Sequence, residues 1–202
     1  MRGCDSRVFD LEAIKNKPFI FGREYSYEEI WENYCYFLDK VIPVAEKANI
    51  VLAQHPNDPP LPVQLGVASL IHNVDCYRRI LTHFPNKTLG VLLCIGCWLE
   101  GGKNFGDPVQ NTLELVKTGR VYDCHFRNII GSIPHFTEAF LDNGSTDMFY
   151  IMNALCEGGY RGTIELDHSP VFSDDPSART ANGYAIGYMR ALAQRAIAQA
   201  KT

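Results

Sequence analysis

Apolar and polar positions along the chain switch between two periods. Over residues 26–48, Ile30, Tyr34, Phe37, Leu38, Val41 and Ile42 recur at helical spacing, the stripe of an amphipathic helix. Ser26 followed by Glu29 is a capping-box start for it, and Pro43 is expected to kink or break it near its end. Beyond this helix the period shortens. "NIVLAQH", "TLGVLLC", "VYDCHF" and "GTIELD" are short apolar runs, each read as a strand. Stretches with helical character follow each of them: around residues 67–82, from about Asp107, along "STDMFYIMNALCEG", and over 184–200. Asp107 is a good N-cap with Pro108 at the first helical position, and Gly158 and Gly159 close the third stretch. Residues 1–24 show little periodicity and are expected to form an irregular lead-in.

Strands alternating with helices predict an α/β fold with a parallel sheet and right-handed crossovers. No composition shift or low-complexity segment divides the chain, so residues 1–202 read as a single domain. A complete TIM barrel takes about 250 residues and eight strands. Four βα units therefore predict a TIM-barrel-like (βα)4 half-barrel with parallel strands. The open edges of such a half-barrel invite pairing with another chain, and a homo-oligomer is expected.

Bulk composition narrows the function classes. The apolar and charged fractions, 46% and 21%, are those of an ordinary soluble globular domain. A net charge of −4 offers no concentrated basic face for nucleic acid. No run of eighteen apolar residues is present, so no membrane span is expected. The first residues lack the apolar core of a secretory signal, which points to the cytoplasm. Seven cysteines without a framework spacing read as reduced thiols, mostly packed as small apolar groups.

Each predicted strand ends on a residue able to hold a metal: His55, Cys94, His125 and Asp167, at intervals of 39, 31 and 42 residues. Each interval suits one βα unit, and in parallel α/β folds chemistry gathers at the carboxyl ends of the strands. A lone histidine or cysteine at a strand end is usually structural; four at the same topological place weaken that explanation. Imidazole, thiolate and carboxylate together suit a divalent transition ion such as Mn, Fe or Zn. Alternation puts Asp123 beside His125 and Glu165 beside Asp167 on one face, where carboxylates could orient an imidazole or merely pair with an arginine. "CIGC" has redox-pair spacing, but no second such motif is present to make a zinc site. Glu100 and Lys103 fall in a glycine-rich stretch that lacks the P-loop spacing.

A set of short motifs, "QHPNDPP" (54–60), "LGVLLCIGC" (89–97), "HFRNI" (125–129), "FTEAFLDNGSTDM" (136–148) and "DHSP" (167–170), together resembles the mannonate dehydratase family from about residue 34 to the last helix. The resemblance covers only the C-terminal part of that family's barrel. It implies a TIM-barrel lyase that removes water from D-mannonate to give 2-dehydro-3-deoxy-D-gluconate in hexuronate breakdown, using Mn²⁺ or Fe²⁺. By motif it places the metal ligands on His55, Cys94, His125 and Asp167, and a catalytic histidine on His168. The family's catalytic tyrosine is expected shortly after, where "SDDPSARTANGYAIGYMRA" departs from the family pattern; Tyr184 is the available candidate. Arg127 is a candidate for the substrate carboxylate and Asn128 for a hydroxyl, with an internal ion pair as the alternative for Arg127. Two other functions stay open: a xylose-isomerase-like sugar isomerase or epimerase, and a metal-binding truncated homologue without catalysis.

Overall fold

The computed structural model describes residues 3–200. Its first short strands, β1 (Cys4–Asp5) and β2 (Val8–Asp10), fall inside the stretch expected to be irregular. Helix α1 (Tyr27–Ala48) starts where the capping pattern put it, with the Ser26 hydroxyl accepting from the Glu29 amide at 3.2 Å. It continues through Pro43 to Ala48 rather than breaking there. Trp31, Leu38, Ile42 and Ala45 form its buried face, while Phe37, expected in the stripe, is exposed.

Then come β3 (Leu52–Gln54), the small ribbon β4 (Val63–Gln64) and β5 (Val67–Ala68), and α2 (Val74–His83). Helix α2 begins later than expected because Asn73, whose side chain accepts from the Cys76 amide, is its true N-cap. Strand β6 (Leu89–Cys94) runs directly into α3 (Ile95–Gly101), a helix the hydrophobic pattern did not separate from the strand. Helix α4 (Pro108–Lys117), capped by Asp107 as expected, leads to β7 (Val121–His125). A hairpin, β8 (Asn128–Ser132) and β9 (His135–Ala139), precedes α5 (Met148–Glu157). The chain ends with β10 (Thr163–Glu165), β11 (Val171–Phe172) and α6 (Arg179–Gln199).

Strands β3, β6, β7 and β10 form one parallel sheet in the order β10-β7-β6-β3. Spatial order follows chain order, so all four strands end at the same edge of the molecule. Strand β6 is buried nearly throughout, as a central parallel strand covered on both faces should be. Its Leu89, Val91 and Leu93 join Tyr77 and Ile80 of α2, Leu115 of α4, and Ile151 and Leu155 of α5 in the core. Buried Arg120 ties this layer together by donating to the carbonyls of Leu81 and Phe84 at the end of α2 and of Leu89 in β6, a use of otherwise unpaired helix-end carbonyls.

The lead-in has a structural role. Strand β2 pairs antiparallel with β9, and β1 with β11, so the N-terminal segment crosses the carboxyl end of the parallel sheet. The outer strand β3 begins beside exposed Ile50 and Val51. No helix of the described residues is long and apolar enough to cross a membrane.

Candidate metal centre

Cys94 is the last residue of β6 and the N-cap of α3, with its side chain fully buried. His125 ends β7, register-paired with Cys94 on one side and Glu165 on the other. His55 follows β3. Strand alignment therefore brings three donors from three consecutive units together. One ligand atom each from His55, Cys94 and His125 lies within 4.8 Å of the others. A single ion bound at about 2.0–2.3 Å to N and S donors holds them at comparable separations.

Asp167 follows β10 with a φ of 67°, a left-handed conformation that aspartate tolerates better than most residues. Its carboxylate approaches two of the three donors, with Oδ1 3.4 Å from His125 Nδ1 and Oδ2 3.7 Å from the Cys94 sulfur.

The thiol is in the form a cation needs, whereas one imidazole must first give up a proton. Burial alone raises the Cys94 thiol, but hydrogen bonds from Cys97, His125 and His55, with the Arg127 charge, outweigh it and hold the thiol well below its ordinary value. The hydrogen bond to Cys94, assisted by the charges of Asp167 and Glu165, pushes His125 up to about 9. The Nδ1 of His125 is buried and makes no hydrogen bond. His55 directs Nδ1 at the Pro56 carbonyl, 2.6 Å away. That contact assigns the proton to Nδ1 and leaves Nε2 as a lone-pair donor.

Arg127 lies beneath these donors, 1% exposed. It donates to Glu138 and to Asp58, both at 3.1 Å, and approaches Glu100 at 2.9 Å and Asp167 at 3.1 Å. Its remaining reach goes to the Cys97 and Cys94 sulfurs at 3.4 and 3.7 Å. Room for the guanidinium comes from Gly96 on α3, where a Cβ would stand 2.0 Å from Arg127 Nε. Burial outweighs the Arg127 charge at Glu100 and pushes that carboxyl up to about 9. One guanidinium and the protonated His125 against three other carboxylates and a thiolate still leave negative charge in excess. The donor set and this excess fit a divalent cation.

The expected substrate contacts need correction. Arg127 is enclosed by internal carboxylates and presents no free face. Asn128, also fully buried, spends its amide on the carbonyls of Leu141 and Thr146 at 2.9 and 2.8 Å. Both hold the floor of the site together. The alternative of an internal ion pair is the one the structure adopts for Arg127.

His168 does reach the cluster. Its Nδ1 is 2.6 Å from Glu138 Oε1 and its Nε2 3.5 Å from Asp167 Oδ2. Tyr184 does not join it. Its ring packs edge-on against Phe140 and stacks on Tyr188, in a depression lined also by Asp142 and Phe172. Asp167 and His168 line a different cleft, of about 450 Å³, together with Asp5, Ser6, Arg7, Ser169 and Asn182. Glu138, which contacts both Arg127 and His168, escaped the sequence reading. The available signal was a single acid inside the apolar run "FTEAFL".

The family model described as D-mannonate dehydratase (UxuA) matches residues 6–199. The chain belongs to the D-mannonate dehydratase family. Within that family, the mannonate dehydratase of Thermotoga neapolitana is 34% identical over 189 residues, covering 90% of this chain and 49% of the relative. That of Brachyspira hyodysenteriae is 34% identical over 168 residues, 82% of this chain and 45% of the relative. The chain spans less than half the length of these curated relatives.

Among solved structures, mannonate dehydratase from Streptococcus suis serotype 2 superposes with a TM-score of 0.88 at 22% identity, covering all of this chain and 60% of the other. A xylose isomerase domain protein from Planctomyces limnophilus gives 0.50 at 19%, covering 62% and 45%. At these identities the likeness is one of fold.

Proposed function

We propose that this chain is a metal-dependent lyase that dehydrates D-mannonate to 2-dehydro-3-deoxy-D-gluconate in hexuronate breakdown, with Mn²⁺ or Fe²⁺ as cofactor. The convergence of His55, Cys94 and His125 within 4.8 Å, with Asp167 against two of them, carries this reading, and family membership supplies the reaction class. The four strands represent half of a TIM barrel, consistent with consecutive parallel order and two open sheet edges.

His55, Cys94, His125 and Asp167 would hold the ion. A bound divalent ion polarises substrate oxygens and stabilises the negative charge that develops as hydroxide leaves. Dehydration also requires a proton to leave the carbon beside the carboxylate and another to reach the departing hydroxyl. His168 is placed for that work. Glu138 Oε1 lies 2.6 Å from one ring nitrogen as an ion-pair neighbour, and the other nitrogen, beside Asp167, would take or give the proton in the cleft. Arg127 keeps the carboxylates of the floor in place while this happens. Tyr184, outside the cleft, has no step in this scheme.

The remaining parts of the proposal follow from class and surface. A soluble sugar acid as substrate and no nucleic acid as partner agree with the acidic composition, and a cytoplasmic enzyme agrees with a catabolic role. Self-association agrees with exposed Ile50 and Val51 beside the open strand β3 and exposed Phe37 on α1.

Incubating Mn²⁺-loaded protein with a panel of aldonates and measuring 2-keto-3-deoxy acid tests the activity. D-Mannonate is expected to be converted, and Cys94→Ala to lose both metal and turnover. Metal retained without conversion of any aldonate, even at high protein concentration, favours the second reading, a metal-binding homologue without catalysis. That reading draws on the open sheet edges.

A further inference from the structure

An aldonate carries a full negative charge, yet the arginine expected to meet it is sealed in the floor. We propose that Arg7, from the N-terminal segment, binds the substrate carboxylate and thereby fixes which end of the sugar acid faces the metal ligands. This rests on the sugar-acid reading of the site and names the group that would enforce it.

Three observations carry it. Among the described residues, Arg7 is the only arginine or lysine lining the cleft that holds Asp167 and His168. Its guanidinium is 72% exposed, and its ion-pair neighbour among the described residues, Glu138 Oε1, is 4.0 Å away, too far for a hydrogen bond. Its donors are therefore open to a ligand. That same Glu138 oxygen is 2.6 Å from His168 Nδ1, so the guanidinium and the imidazole lie within the length of one sugar acid.

The backbone around Arg7 is held as firmly as a functional position requires. The Glu138 amide donates to the Arg7 carbonyl at 2.9 Å, and the Ser6 hydroxyl donates to the Glu138 carbonyl. Strands β1 and β2 pin both flanks to β11 and β9. A cleft of about 450 Å³ falls in the usual range for small-ligand sites. Its other charged residues, Asp5 and Asp167, repel a carboxylate and accept hydroxyl protons. These charges together favour the acid end on Arg7 through paired charge-assisted hydrogen bonds, with the hydroxyls toward Asp167 and His168.

Calorimetric titration of Mn²⁺-loaded protein with D-mannonate and with D-mannitol, its uncharged counterpart, tests the assignment. The unsubstituted protein is expected to prefer mannonate. Arg7→Ala should weaken mannonate binding by roughly 10- to 100-fold, the range for losing hydrogen bonds to a charged group. Mannitol and Mn²⁺ affinities should not change, and Arg7→Lys should restore part of the loss. The Arg7 side chain is 72% exposed and buries little surface in the fold, and unchanged Mn²⁺ affinity checks that the variant is folded. Mannonate affinity in Arg7→Ala within twofold of the unsubstituted protein overturns the proposal, as does an unsubstituted protein with no preference for the acid. Arg7-dependent binding without dehydration would instead overturn the proposed activity and leave this assignment standing.

Discussion

Replacing Arg127 by methionine separates the two roles open to it. Methionine fills similar volume but removes the charge shared among Asp58, Glu100, Glu138 and Asp167. Breaking a buried ion pair by deleting one partner costs about 3–5 kcal/mol, because the other is left uncompensated. Here water can take over part of the burden at Asp58, which is 37% exposed, and less at Asp167, at 14%; Glu138 is at 4%, while buried Glu100, pushed up to about 9, carries its own proton. In a domain of this size each kcal/mol lowers the melting temperature by about 2–4 °C. Thermal unfolding of the metal-free protein at pH 7, followed by circular dichroism, should therefore show Arg127→Met melting about 6–20 °C lower. Arg127→Lys should recover less than half of that, because one ammonium cannot span carboxylates on several sides. A substrate contact predicts the opposite pattern. If Arg127→Met melts within about 2 °C of the unsubstituted protein while losing sugar-acid affinity, the structural role assigned to this residue is refuted.

Other consequences are as direct. His168→Asn is expected to lower dehydration by about 10²- to 10⁴-fold, the usual weight of a positioned acid–base group, with metal content by elemental analysis unchanged; loss of metal would instead make His168 part of the ligand set. Gly96→Ala drives a methyl group onto the Arg127 guanidinium and should cost about 1–3 kcal/mol as overpacking in a urea titration; a neutral outcome would show that the floor yields freely. Because His125 is pushed up to about 9, it holds a proton at neutral pH that an incoming ion must displace. Apparent Mn²⁺ affinity in chelator competition should then rise about tenfold per pH unit and level off near pH 9, and a flat profile from pH 6 to 9 would contradict it. The same shift has a sign for stability. Without metal, the raised histidine stabilises the fold below its ordinary value of 6.5, and that contribution is lost as pH climbs from 6.5 to about 9.

What could be read from the chain divides along the range of the interactions involved. The four strand ends were legible because each donor closes a short apolar run whose pattern is local. Asp107 and Ser26 announced their helices for the same reason. Helix α3 was hidden because "LLCIGCWLE" stays apolar across the junction, so no polar break marks the change of period at Cys94. Strands β1 and β2 are two and three residues long and exist only through partners more than a hundred positions away. Arg127 and Asn128 had the right chemistry for a ligand, but which way a side chain faces after a strand ends is decided by tertiary packing. Glu138 was invisible as a site residue until the hairpin delivered it beneath His168.

Asp167 and His168 are consecutive, and Asp167 sits in the left-handed region. A candidate cation ligand and the candidate proton carrier thus share one peptide plane. If the proposed roles hold, a displacement of this loop that moves the carboxylate also moves the imidazole, which ties the hold on the ion to the proton exchange beside it.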